Sequence, residues 1–416
     1  MKTIAGLLVR LIVIAICCFA TWKSVQLARA DLSWAPGTTA GLHKAMEILP
    51  LDADYAARGA LRKIDDVEDS PDVDAGLLRA SRMNPLNAEL LMTLGLRAEF
   101  RGDTAHAEQF LLQATQVDHL YKPAWTLASF CYRTGRLNNF WPMAKRCLNL
   151  DPFGFDPTAI FDLCWKVTSD AKTIQDLVPV TGEKPARYLL YLIGTKRTDA
   201  ALTFWPVARD AIDPSVKLDL DAAMTFIDYL LAAGRVTEAV QVWNQLVDRS
   251  IVRSGRLDPA NGVSVADPQF SFARNAGAFS WHVTEGEGVF PAADFSSLRL
   301  ELDGNEPQSL RLLSAEAPVV AGRNLRLVWK SDGARLNLPS DPGFVFRVFN
   351  RSGTLLTDCQ PMLAGGGAGT CKFSSASSSS EATTNVRIEL QYARAPGTTR
   401  ASGVVQIASV RVEPAP

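Results

Sequence analysis

The sequence predicts a multidomain α plus β protein, in which an α-solenoid of antiparallel helix pairs is followed by an antiparallel β-sandwich. Three observations predict it. Related phrases recur about every 34 residues through the first half. Past Arg256 the helical period gives way to short alternating runs rich in Gly and Pro turns. Ahead of both, Ile4 to Trp22 is almost wholly apolar. At 416 residues the chain exceeds one ordinary core, so more than one domain is expected. The boundaries read as 1–30 for a signal anchor or signal peptide, 40–255 for the repeats, 256–268 for a linker and 269–416 for the sandwich, with the alternative that 253–268 is pinned at an interface.

The apolar start supports two readings. A signal anchor needs about 20 apolar residues, which this segment reaches if Arg10 snorkels to the lipid surface. A cleaved signal needs a shorter run and small residues at the cut, for which Ala28-Arg29-Ala30 would serve. A lipoprotein signal fits poorly, because Ile16 stands before Cys17 where a small residue is needed. Both remaining readings export the chain. The expected location is therefore single-pass in the inner membrane with the bulk in the periplasm, or secreted if the signal is cleaved.

In the first half, ILPLDADY (48–55), MNPLNAEL (83–90), VDHLYKPA (117–124) and LDPFGFDP (150–157) share one register. Aligned on Pro50, Pro85, His119 and Pro152, they step by 35, 34 and 33 residues. Proline at this place ends the second helix of each pair, since it cannot continue a helix interior. Leu91, Leu94, Gly95 and Ala98 fall on a first helix, Gly102 on the turn, and Ala107, Leu111 and Ala114 on a second helix. This pattern resembles the tetratricopeptide repeat family, with His119 in place of the usual proline. Trp125, Ala128, Tyr132, Gly135 and Cys147 repeat it, as do Ala223, Gly234, Ala239, Trp243 and Leu246. Residues 158–215 are degenerate but keep a helical pattern, giving about five or six units. The resemblance implies protein partners held by the array. Trp125, Tyr132, Trp141, Trp165 and Trp205 form a candidate binding stripe, with Trp125 and Tyr132 the candidate groove aromatics, although core packing is the stronger reading for aromatics at these spacings.

In the second half, 279–283, 298–303, 309–313, 325–330, 344–349, 386–392 and 404–412 read as strands, several alternating apolar with charged residues. Asp303-Gly304-Asn305, Asp332-Gly333 and Ser352-Gly353 read as turns, and 374–384 as a low-complexity loop. Phe279-x-Trp281, the Val319-x-x-Gly322 turn and a final strand ending VQIASVRVEP resemble the galactose-binding-like jelly-roll sandwiches. That resemblance implies a glycan partner met by aromatic rings, for which Trp281, Trp329 and Tyr392 are the candidates, with at least two of the three expected in the core. Cys359 and Cys371 flank a Gly-rich loop at 365–369. In an oxidising compartment they pair across a hairpin; otherwise they are two half-buried thiols.

Chemistry is absent from the motifs. The four histidines have no zinc spacing, and no Gly-x-Ser-x-Gly elbow or CxxC pair occurs. GGGAGTCK (365–372) lacks the lysine and hydroxyl placement of a phosphate loop. No catalytic residue, metal ligand or cofactor is expected. A formal net charge of −1 with interspersed signs also excludes the basic stripe that nucleic acid requires. The sequence therefore reads as a non-catalytic envelope scaffold or adaptor. An anchor, helical repeats and a jelly-roll tail together resemble bacterial repeat proteins of extracellular polysaccharide synthesis and export. The alternative is a carbohydrate-binding protein acting through the sandwich.

Overall fold

The computed structural model describes residues 2–35, 37–66, 71–150, 156–272, 277–286, 288–294, 297–336, 343–361, 366–375, 382–394 and 396–415. The register proline Pro152 and the centre of the 374–384 loop lie outside the described residues. Two compact units, Met1–Pro179 and Val180–Pro416, divide the chain.

In the first unit, helix α1 runs unbroken over Lys2–Trp34. Its stretch Arg10–Trp34 is long and apolar enough to cross a membrane. A short connection turns the chain back into α2 (Thr39–Ile48), whose first turn is capped by the Thr38 hydroxyl. The two helices approach closely where α2 carries Gly41. A Cβ there would sit 2.3 Å from the Ser33 carbonyl oxygen. Ala30, Leu42, Ala45 and Tyr55 are buried together beside Trp34 and Met46. Tyr55 donates from its hydroxyl to Asp31 Oδ1 at 2.5 Å. Burial and that bond push the Tyr55 phenol up to about 12, so it stays a donor. The last turns of the apolar helix are thus part of the folded array.

Helix pairs follow: α3 (Ala53–Asp66) with α4 (Pro71–Met83), α5 (Ala88–Phe100) with α6 (Thr104–Val117), α7 (Tyr121–Arg133) with α8 (Leu137–Asn149), and the short α9 (Thr158–Val167) with α10 (Ala171–Gln175). The repeat pattern has a packing cause. A Cβ on Gly95 would lie 2.7 Å from Leu111 Cγ, so only glycine lets α5 approach α6 this closely. Ala107, Leu111 and Ala114 are buried on the facing side of α6. Asn87 and Asp103 each accept a first-turn N–H, satisfying donors the helix leaves open.

The second unit begins with two further pairs, α11 (Lys184–Gly194) with α12 (Thr198–Ala211) and α13 (Lys217–Ala233) with α14 (Val236–Asp248). Gly234 ends α13 in the left-handed conformation at φ 85°, where a side chain would be strained and would collide with Arg351. Among the described residues ten strands follow: β1 (His282–Val283), β2 (Val289–Asp294), β3 (Ser297–Asp303), β4 (Ser309–Val320), β5 (Asn324–Leu336), β6 (Phe344–Asn350), β7 (Leu355–Cys359), β8 (Gly367–Ser374), β9 (Thr383–Ala393) and β10 (Ser402–Pro414). They form two five-stranded antiparallel sheets, ordered β1-β4-β9-β6-β7 and β2-β3-β10-β5-β8. From β3 onward the chain switches sheets at nearly every step, which is jelly-roll connectivity. Between the sheets lies one core that includes Leu298, Leu300, Leu327, Phe346, Ile388, Leu390 and Val410.

Residues 256–268, whose composition reads as a linker or as a pinned segment, are hydrogen-bonded to α14, and two other expectations need correction. Asn244 exchanges two hydrogen bonds with the Leu257 backbone, each 2.8 Å, and Trp243 Nε1 donates to the Gly255 carbonyl. Gly255 N in turn donates to the Ala266 carbonyl. A loop pinned by backbone groups has the same Gly, Pro and Asp content as a free one. The last two repeat pairs accordingly belong to the compact unit that holds the sandwich. The Gly-rich stretch is only partly a loop: from Gly367 it is edge strand β8, paired to β5 over Ser331–Asn324. Glycine at 369 is required because a Cβ would lie 2.2 Å from the Trp329 ring. Finally, Cys359 and Cys371 do form a disulfide, with Cα atoms 6.2 Å apart, yet β7 and β8 are not a hairpin. The bond joins the edge strand of one sheet to the edge strand of the other.

Replacing both Cys359 and Cys371 with serine should lower stability by about 3 kcal/mol, the loop-closure value for a ring of this length. Urea unfolding of the oxidised wild type against the double variant checks this, and dithiothreitol should lower the wild type to the variant's midpoint.

Candidate functional site

The first helices of successive pairs lie side by side in the first unit, and side chains about one repeat apart meet across them. Lys122 bonds Glu89 at 2.8 Å, the Thr126 hydroxyl donates to Met92 Sδ at 3.6 Å, and Arg133 grips Glu99 with two bonds of 2.7 Å. On the other flank of α5, Arg97 and Arg101 both bond Asp74 of α4. The Lys122–Glu89 pair is well exposed and contributes little stability. The forked Arg133–Glu99 pair fixes geometry as well as charge.

Among these charges stand exposed apolar groups. Leu96 is 44% exposed and Phe100 82%, one helical turn apart on α5. Tyr132 on α7 is 37% exposed. At the other end of the same helices, where α5 and α7 begin, an open groove is walled by Leu86, Glu89, Met92, His119 and Lys122. His119, which stands at the register position of Pro50 and Pro85, is held by Arg146, whose guanidinium reaches its Nδ1 at 2.9 Å and the Thr115 carbonyl at 3.1 Å. The arrangement offers fixed charges of both signs, an aromatic ring and apolar side chains along one row. That set can hold a protein segment through side-chain packing and charge-assisted bonds, without any bond-making chemistry.

The sequence candidates are placed unevenly. Tyr132 lies at the exposed row. Trp125 is half-buried and stacked on Tyr121, with ring centroids 6.1 Å apart. Trp205 is core, with its Nε1 donating to Gln245. The glycan candidates of the sandwich do not form an open platform. Trp281 is 2% exposed and donates to the Asp267 carbonyl, Trp329 is 7% exposed against Phe346, and Tyr392 is fully buried with its oxygen accepting from Ala401 N. Alternation along β5 and β9 points Trp329 and Tyr392 into the intersheet core, since both fall on the inward period-2 set. Leu96, Phe100 and the Glu99–Arg133 pair went unrecognised in the sequence. Their signal is an apolar i, i+4 pair lying off the repeat's packing positions.

The outer side of the first sheet carries a polar network. Glu389 is buried and meets Arg387 Nε at 2.8 Å and Gln391 Nε2 at 2.5 Å, while Arg347 bonds Gln391 at 2.7 Å. Asn385 donates to Glu316. Burial, aided by the nearby Asp228 and Glu389 charges, pushes the Glu316 carboxyl above the usual carboxylate range against the pull of Asn385 and Arg387. Asp228 on α13 is raised likewise by burial. Among the described residues no group of three or more His, Cys, Asp or Glu is placed to hold a metal. The thiols of Cys131, Cys147 and Cys164 are buried, and burial pushes them up to about 11, 12 and 12, far from a nucleophile's range.

No family model and no curated protein matches the chain. Solved structures similar to it include YrrB, described as a TPR protein with an unusual peptide-binding site, at 12% identity over 50% of this chain and 91% of that one, with TM-score 0.25. Pseudomonas aeruginosa PilF is 17% identical over 55% of this chain and 90% of that one, with TM-score 0.28. Yeast Tom70 is 14% identical over 50% of this chain and 45% of that one, also with TM-score 0.28.

Because the folded state holds Glu316 with a raised pKa, its neutral form favours folding and its charged form opposes it. That contribution is complete below the ordinary glutamate value of 4.5 and is lost as pH rises through the folded value. Glu316→Gln, which still accepts from Asn385, should therefore raise the melting temperature at pH 8 and match wild type at pH 4. Thermal melts of both proteins across that range check the sign.

Proposed function

We propose that the chain is a non-catalytic scaffold of the cell envelope, held in the inner membrane by α1, with its bulk in the periplasm, where the repeats hold a protein partner. One observation carries the tether. Ala30, Asp31, Ser33 and Trp34 are packed or bonded against α2 and α3. Cleavage after Ala30 would strip Ala30 from that cluster and leave a charged terminus beside Tyr55. A retained helix keeps both intact, which favours the anchor over the cleaved signal. The Cys359–Cys371 bond fits an oxidising compartment.

The adaptor role is supported by the exposed row of Leu96, Phe100 and Tyr132 among the paired charges of α5 and α7. The alternative, glycan binding through the sandwich, loses its three candidate aromatics to the core. Inert buried thiols favour a non-catalytic role. The setting we assign is extracellular polysaccharide assembly or export, on the combination of anchor, repeats and jelly-roll tail; in that setting the sandwich docks on protein or glycan of the same assembly.

Cross-linking of the full-length protein in its native membrane, then affinity capture and mass spectrometry, tests this. The expected result is recovery of polysaccharide synthesis or export proteins, reduced at least tenfold by the triple variant Leu96→Asp, Phe100→Asp, Tyr132→Asp. Recovery of glycan with no consistent protein partner, or equal recovery with the variant, would overturn the adaptor reading.

A further inference from the structure

The turns between successive pairs carry exposed leucines at one register. Leu51, Leu86 and Leu120 each follow the register residue Pro50, Pro85 or His119, and they are 86%, 75% and 68% exposed. Phe153, the next at this register, lies outside the described residues. Nothing in the fold of a helix pair requires an apolar tip. Polar side chains of these turns are engaged locally: Asp52 accepts from Asp54 N and Tyr55 N and Asn87 from Leu90 N, at the starts of α3 and α5, while Asp118 accepts from Leu120 N just ahead of α7. These polar side chains are thereby turned onto nearby backbone N–H groups, and the leucines are left as the projecting groups.

These turns share one edge of the first unit. The chain alternates direction with each short connection, so α3, α5 and α7 all start at the edge where α2, α4 and α6 end. Contacts between neighbouring starts confirm the row: Asn87 bonds Asp54, and Lys122 bonds Glu89. The apolar helix leaves from the same edge. Ser33 of α1 faces Gly41 of α2, and the two helices run antiparallel. Seven residues back along α1, Gln26 stands level with Ile48, the last residue of α2. The apolar run ends at Trp22, only four residues beyond, or about 6 Å at roughly 1.5 Å per residue. The headgroup layer on each side of a bilayer is about 5–7 Å thick. An α1 that spans the bilayer therefore brings the edge with Leu51 into that layer.

We propose that this edge of the repeat array is a lipid-docking edge, with Leu51, Leu86 and Leu120 seated in the headgroup layer of the bilayer that α1 spans. The inference rests on α1 being a retained anchor and adds a second, peripheral attachment. Three apolar tips one repeat apart would hold the array down on the membrane and leave its opposite edge, where α5 ends at Phe100, facing water.

Fluorophore labelling of the full-length chain tests it. In a Cys17→Ser, Cys18→Ser background, with Cys131, Cys147 and Cys164 protected by burial, single variants Leu51→Cys, Leu86→Cys, Leu120→Cys and Phe100→Cys are labelled with nitrobenzoxadiazole. The proteins are reconstituted in phosphatidylcholine liposomes with headgroup-depth doxyl lipid and washed with alkaline carbonate. The proposal expects protein that survives the wash, with emission at 51, 86 and 120 quenched at least twofold more than at 100. Retention with 86 and 120 as unquenched as 100 would overturn the docking edge while leaving the anchor standing. Loss of the protein in the wash would remove the anchor reading and the docking edge with it.

Discussion

The clasp between the end of α1 and the first turns of the array is the constraint on which the rest depends. It is small: a glycine that admits a carbonyl oxygen at Gly41, a buried alanine at position 30, and a phenol bonded to Asp31. Its consequence is geometric. A helix joined to its array by a free linker could leave the array in any orientation. One whose last turns are packed into the first layer fixes the direction in which the apolar segment leaves the array and, in the proposed setting, which edge faces the bilayer and which row of helices is presented to a partner.

The same logic of short-range pinning governs the second unit. Trp243 and Asn244 hold residues 255 and 257, Trp281 holds the Asp267 carbonyl, and Arg351 donates to the Ala232 carbonyl at the end of α13. Each of these bonds satisfies a backbone group that a loop would otherwise leave to water. Together they make two helix pairs and a jelly roll into one compact body. The disulfide adds a covalent tie at the far edge, where β7 and β8 end their sheets and the sandwich would be easiest to open.

The parts of this fold that depend on periodicity were legible in the sequence. The 34-residue register and the small residues Gly95, Ala107 and Ala114 located the helix pairs, because close packing leaves few choices at those positions. Strands β3, β5, β6, β9 and β10 were legible because one face of each is buried. Strand β8 was not, because its glycines answer to the Trp329 ring and imitate a loop. Residues 256–268 stay ambiguous between linker and pinned segment for a related reason, since hydrogen bonding of a loop leaves no compositional trace. The site was least legible. Trp329 and Tyr392 as core and Tyr132 as surface differ only in which face of an element they occupy, and Phe100 looks like one more core residue until the helix end is placed.

The most direct test of the account is the mass of the mature protein extracted from its native membrane. The clasp predicts a chain that retains residues 1–30, resists alkaline extraction and leaves the membrane only in detergent. A mature chain beginning at Asp31, or one released intact by alkaline carbonate, would contradict it.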